Sequence, residues 1–192
     1  MKIFATSLLA SVLVSTALFG ATYKVDNAHS TVGFEVKHMM STSRGDFGDY
    51  TATFDYDSKT DVLDAIEASI TASSIDTRNK KRDEHLKSED FFNSGKFPTM
   101  TFKSSKVSKK GAHKYLVQGN LTLKGITKPV TLTVTHNGNQ VNPWGQDIAG
   151  FSAKGKIDRQ AFGLIWNKSL DKGGLLIGND IELVLQIEAV KQ

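Results

Sequence analysis

The sequence predicts an all-β fold: one domain of about eight short antiparallel strands, closed as a barrel or stacked as a sandwich. Three observations predict it. Apolar and polar residues alternate with a period of two along most of the chain, the pattern left by strands that bury one face. Turn-forming residues separate the alternating runs. One polar stretch, 76–92, does not alternate, and it predicts a helical insertion across one end of the barrel.

Lys2 is the only charge before Lys24, and an apolar stretch ending in small residues lies between them. This predicts a secretory signal peptide over residues 1–20, cut somewhere from Ala17 to Ala21. The stretch is short for a span of about 20 residues and no basic cluster follows it, so no stable membrane anchor is expected. Residues 21–192 then form a single domain. The absence of cysteine excludes disulfides, thiol redox chemistry and cysteine-based metal sites. A net charge of +4 with well-mixed signs is no nucleic-acid footprint.

The strands follow in order. Val32, Phe34 and Val36 begin the pattern, and His38 falls in phase with them. Tyr50, Ala52, Phe54 and Tyr56 form the next apolar face, then Ile66, Ala68, Ile70 and Ala72. Between these two strands and the first, Arg44-Gly45-Asp46-Phe47-Gly48 reads as a tight turn. In the insertion, Asp76 caps a helix over Arg78 to Lys87, and Ser88 caps a short turn presenting Phe91 and Phe92. Met100 and Phe102 follow Pro98. Tyr115, Val117, Gly119, Leu121 and Leu123 line one long strand; Val130, Leu132 and Val134 another. Ala149, Phe151, Ala153, Gly155 and Ile157 come next, then a short helical piece at Arg159 to Gly163. Ile181, Leu183, Leu185 and Ile187 close the chain. Lys109-Lys110-Gly111, Lys124-Gly125, Asn137-Gly138 and Asn142-Pro143-Trp144-Gly145 read as loops.

An eight-stranded barrel is either filled by its own side chains or holds one small ligand. The many small residues on the inward face, from Ala52 to Gly155, leave room for a long apolar guest; ordinary large-and-small packing fits the pattern as well. No inward-facing charge sits at a strand centre, so a guest would be an acyl or isoprenoid chain, its polar head among the charged loops. The five histidines show no metal-ligand spacing, and no metal or cofactor is expected. His29 and Ser30 are neighbours on a strand and point to opposite faces, so they make no nucleophile–base pair.

Several segments together carry a resemblance. His29-Ser30-Thr31-Val32-Gly33-Phe34-Glu35-Val36-Lys37-His38 comes first, then Arg82-Asp83-Glu84-His85-Leu86 running on to Phe91-Phe92. Phe97-Pro98-Thr99-Met100-Thr101-Phe102 and Gly119-Asn120-Leu121-Thr122-Leu123-Lys124-Gly125-Ile126-Thr127-Lys128-Pro129-Val130 follow, with Pro143-Trp144-Gly145 and Ala149-Gly150-Phe151 after them. The mature chain resembles the YceI-like family of periplasmic proteins. The resemblance implies an extended antiparallel β-barrel, lipocalin-like in architecture, with a helical insertion. It also implies a bound long-chain amphiphile of polyisoprenoid, isoprenoid-quinone or fatty-acid type, a periplasmic location, and a homodimer as a common state.

On this reading the tail of the guest lies along Val32, Phe34, Val36, Phe54, Ala68, Ile70, Phe102, Leu121, Leu132, Phe151, Ala153 and Ile157. Its head meets His38, Arg44, Arg82, Asp83 and His85 at the mouth. The protein is expected to bind rather than catalyse. The alternatives are an enzyme working on a lipid head group with Asp83 and His85 as acid and base, and a stress-response protein with a filled core.

Overall fold

In the computed structural model, which describes residues 20–171 and 173–192, the strands form one sheet in which every pairing is antiparallel. Apart from Gly20, the expected signal peptide lies outside the described residues. In chain order the strands are β1 (Ala21–Val25), β2 (Thr31–His38), β3 (Ser41–Phe47), β4 (Tyr50–Asp57), β5 (Val62–Thr71) and β6 (Ile75–Asp76). The helix α1 (Lys80–Lys87) precedes β7 (Thr99–Gly111), β8 (Lys114–Leu123), β9 (Ile126–Val141), β10 (Asp147–Asp158) and β11 (Ile177–Lys191). A 3₁₀ turn, Arg159–Phe162, follows β10.

Eight of these strands, in the order β1-β4-β5-β7-β8-β9-β10-β11, close into a barrel through the β1–β11 pairing. The edge of β11 is shared. Residues Ala189–Lys191 pair with β1, and the stretch from Ile177 to Gln186 pairs with β2. Where one partner gives way to the other, the ladder is patched by side chains and turn backbone. Ser30 Oγ accepts from the Glu188 N–H at 2.9 Å, and the Asp26 N–H donates to the Glu188 carbonyl at 2.8 Å. Ser30 is therefore a ladder residue, which is its role beside His29. Beyond β2, strand β3 pairs along it and then meets β6 only at Asp46↔Asp76 and Phe47↔Ile75.

The predicted inward faces are buried as alternation requires: Tyr50, Ala52, Phe54 and Tyr56 on β4, and Tyr115, Val117 and Leu123 on β8. Four expectations need correction. Arg44–Phe47 is strand β3 and the turn is at Met39-Met40; Gly45 is small because the Phe34 ring lies across it, 2.7 Å from where a Cβ would stand. Asp76 does not cap α1. It accepts from the Arg78 N–H in a local turn, while Asn79 caps the helix by accepting from the Arg82 N–H at 3.1 Å. Asn137-Gly138 is not a loop but a bulge within β9, where the register slips opposite Gly150 and Phe151 and Gly138 takes φ +138°. Lys109-Lys110-Gly111 ends strand β7 rather than lying in a loop. By contrast Lys124-Gly125, both with positive φ, is the tight β8–β9 hairpin turn that its sequence predicts.

The small inward residues divide into two kinds. Ala52, Ala68 and Ala153 border open space, but Gly119 and Gly155 do not. A Cβ on Gly119 would stand 2.5 Å from the Phe102 ring and 2.6 Å from the Lys103 carbonyl, and one on Gly155 2.6 Å from Leu132. These glycines make room for neighbouring side chains. Gly119→Ala should therefore destabilise the fold by about 1–3 kcal/mol, the usual range for overpacking. In urea unfolding the midpoint should fall with an unchanged slope.

Candidate functional site

The inward rows leave a cavity of about 380 Å³ along the barrel axis. That is within the roughly 300–1,000 Å³ of ordinary ligand pockets. Its wall is built in rungs by the cross-strand register. Val134, Ala153, Leu185 and Val32 lie side by side across four strands, and Leu132, Gly155, Leu183 and Phe34 make the next rung. Ile157, Ile181 and Val36 follow towards the helical end. On the opposite wall Leu121, Phe102, Ala68 and Ala52 are aligned in the same way.

One end is closed. Phe54 and Phe151 stack at 5.4 Å between ring centres, and the next inward side chains, Tyr56, Ala149 and Ala189, are fully buried beyond them. Tyr56 sits edge-on to both Phe151 and Tyr23, so an aromatic plug fills the barrel there. The other end is covered in part by α1, by Phe91 and Phe92, and by Leu164, Trp166 and Leu176. His85 stands edge-on to both Trp166 and Phe91 at 4.8 and 5.0 Å. Lys124 ties these pieces down, donating to the carbonyls of Glu89 at 2.8 Å and Gly163 at 3.1 Å.

All twelve residues expected along the tail line this cavity: Val32, Phe34, Val36, Phe54, Ala68, Ile70, Phe102, Leu121, Leu132, Phe151, Ala153 and Ile157. Of the five expected at the mouth, His38, Arg44, Arg82 and His85 also line it. Each of three is already engaged. Arg44 Nε is 2.7 Å from Glu35 directly across β2–β3, Arg82 donates to the Thr77 hydroxyl and carbonyl at 2.7 Å each, and His85 Nε2 is 2.9 Å from Asp90. Asp83 is elsewhere. It is buried, and its carboxylate accepts from the backbone N–H and the hydroxyl of Thr77, fixing the turn before α1. With Asp83 on Thr77 and His85 on Asp90, the two do not form the acid–base pair that an enzyme reading needs.

The sequence reading missed Arg159. It lies in the cavity wall at the 3₁₀ turn after β10 and is only 3% exposed. Its guanidinium donates to the carbonyls of Leu164, Trp166 and Gly178, which gathers the loop before β11 against the barrel. Its Nη2 is buried without a partner, and no carboxylate within ion-pair distance faces it among the described residues. Burial pushes its pKa down from the ordinary arginine value, but arginine stays charged. Arg159 thus sets a buried positive charge and one unpaired donor in the wall of an otherwise apolar cavity.

The pattern of this barrel is shared. A YceI-like domain family model matches residues 23–189. The chain belongs to the YceI-like family. Protein YceI of Salmonella arizonae is 39% identical over 188 residues, 96% of this chain and 95% of that one. The solved YceI protein of Campylobacter jejuni is 33% identical with a TM-score of 0.72, over 88% of this chain and 96% of that one. A polyisoprenoid binding domain from Saccharophagus degradans, implicated in plant cell wall breakdown, has the same fold at 10% identity, with a TM-score of 0.63 over 90% of this chain and 99% of that one. The barrel fold is thus shared across wide sequence divergence.

Proposed function

We propose that this protein is a periplasmic binding protein that holds one long-chain amphiphile with its tail in the barrel and an anionic head at Arg159. The observation that carries this is the cavity itself: apolar along its length, closed by Phe54 and Phe151, and bordered by a buried guanidinium with a donor to spare. The tail would be held by the hydrophobic effect, at about 0.8 kcal/mol per buried methylene. The polyisoprenoid binding of the Saccharophagus domain supports an isoprenoid tail, as does the width of a wall built from Ala52, Ala68 and Ala153. An anionic head, such as a phosphate or carboxylate, would satisfy Nη2 and neutralise the buried charge. The apolar start of the chain supports export, and a carrier of this kind would work in the aqueous gap beside membranes.

Two measurements test the reading. Native mass spectrometry of the purified protein, followed by organic extraction, should recover a long-chain lipid. Ala153→Phe, which fills the middle rung, should remove it while circular dichroism still reports a folded barrel. Lipid retained undiminished by the folded variant would refute the tunnel. For the head, an alkyl phosphate should bind about 10–100-fold tighter than the alcohol of the same chain, the worth of one or two charge-assisted hydrogen bonds. In Arg159→Gln that ratio should collapse towards one, and a ratio left unchanged would place the head elsewhere.

A further inference from the structure

Beyond the aromatic plug, at the closed end of the barrel, three potential ligands converge from distant parts of the chain. Asp61 lies in the β4–β5 turn, His113 in the β7–β8 turn and His136 on β9. His136 Nδ1 is 3.1 Å from Asp61 Oδ1, His113 Nδ1 is 3.2 Å from Asp61 Oδ2, and the two Nδ1 atoms are 3.4 Å apart. Tetrahedral ligands about 2.0–2.1 Å from one metal ion stand about 3.3 Å from each other. Each separation is close to that edge, although Asp61 turns a different oxygen to each histidine; one carboxylate oxygen and both Nδ1 atoms lie within 4.8 Å of one another, and a small side-chain rotation would set them about a single ion. We propose that Asp61, His113 and His136 form a site for one divalent transition-metal ion of the zinc class.

The surrounding side chains are arranged as such a site requires. Asn139 Nδ2 donates to Tyr56 Oη at 3.3 Å, which leaves Asn139 Oδ1 as the acceptor 3.1 Å from His136 Nε2. The proton therefore belongs on Nε2, and the Nδ1 lone pair faces Asp61 and His113. This is the usual second-shell device that orients a metal-bound histidine. His136 is held rigidly, its side chain only 3% exposed and its ring packed 5.4 Å from Phe151. Asp61 is held in place by the Tyr115 hydroxyl, which donates to its Oδ1 at 2.6 Å, and by Lys109 Nζ, 3.0 Å from its Oδ2. Two acceptor nitrogens and a carboxylate in mutual contact repel one another unless a proton or a cation lies among them. The Tyr56 hydroxyl is one donor facing that group, 3.2 Å from His136 Nδ1, 3.1 Å from its Nε2 and 3.4 Å from Asp61 Oδ1. Lys109 Nζ, 3.0 Å from Asp61 Oδ2, supplies a charge from the flank and is exposed enough to swing aside.

Two imidazoles and one carboxylate suit zinc, cobalt, nickel or copper and disfavour magnesium and calcium. His113 is 60% exposed, so the fourth position faces water and the ion can exchange. The ion would tie the β4–β5 turn to His113 and His136, which are already joined to each other by the His136 N–H donating to the His113 carbonyl at 2.8 Å.

Untagged protein stripped with EDTA and titrated with Zn²⁺ in a calorimeter should bind about one ion per chain at micromolar affinity or better. His113→Ala removes an exposed ring and should weaken binding at least about tenfold with the circular dichroism unchanged. Asp61→Asn should act in the same direction if the first variant is poorly folded. Lys109→Ala, which removes the competing cation, should strengthen binding. Co²⁺ in place of Zn²⁺ should give the visible absorption of a tetrahedral site, absent in His113→Ala. His29→Ala serves as control for the surface group Asp26, His29 and Glu188. Binding no tighter than millimolar, or binding kept in His113→Ala and lost in His29→Ala, would overturn the proposal and leave the three residues as a hydrogen-bonded cluster.

Discussion

The edge of β11 is the constraint on which the rest of this molecule depends. Because β1 and β2 share that edge end to end, the sheet closes without leaving either length of it bare. Closure fixes the alternation of every strand, and one residue of slip would turn a whole apolar row outward. Once the rows face inward, the register sets which side chains lie beside one another, and the cavity follows from their sizes. The junction itself is delicate. It depends on Ser30 and Asp26 supplying at Glu188 the partners that a continuous strand would have supplied.

The two ends of the barrel solve different problems. At one end aromatic rings and a histidine fill the interior, and the polar atoms brought in with them are paired by Asp61, Tyr115 and Asn139. At the other end the chain uses a buried arginine to gather two backbone carbonyls of the loop, from Leu164 and Trp166, and one from Gly178 at the start of β11. That solution organises the mouth, yet it leaves one buried donor, Arg159 Nη2, without a partner in the apolar wall. On the proposed function, such a lining would discriminate by chemistry as well as by length, for a long tail and for an anionic head.

Much of this was legible in the sequence, because alternation is a direct record of which side chains face inward. Val32, Phe102 and Ala153 could be placed on the cavity wall from period alone. What period does not record is what fills the space above a small residue. Gly119 and Gly155 read as room for a guest, whereas Phe102 and Leu132 occupy that room. Glycine was also misleading in Arg44–Phe47, where Gly45 and Gly48 suggested a turn but Gly45 serves a close cross-strand contact with Phe34. Asp83 lay in a charged run that read as a solvent-facing helix at the mouth, and only the fold shows Thr77 turned onto it. Arg159 sits in a short 3₁₀ turn with no periodicity to reveal a buried face. Asp61, His113 and His136 have no telling spacing, since β-strand topology and not sequence distance brings them together.

The central claim is a dry tunnel of finite length with a floor at Phe54 and Phe151. The most direct measurement is the affinity of straight-chain alkyl phosphates of increasing length. It can be read from Trp166, which lines the mouth, in a Trp144→Phe background that removes the exposed second tryptophan. The account predicts a gain of about 0.8 kcal/mol for each added methylene, ending in a plateau once the chain reaches the floor. An affinity that does not change with chain length would contradict it.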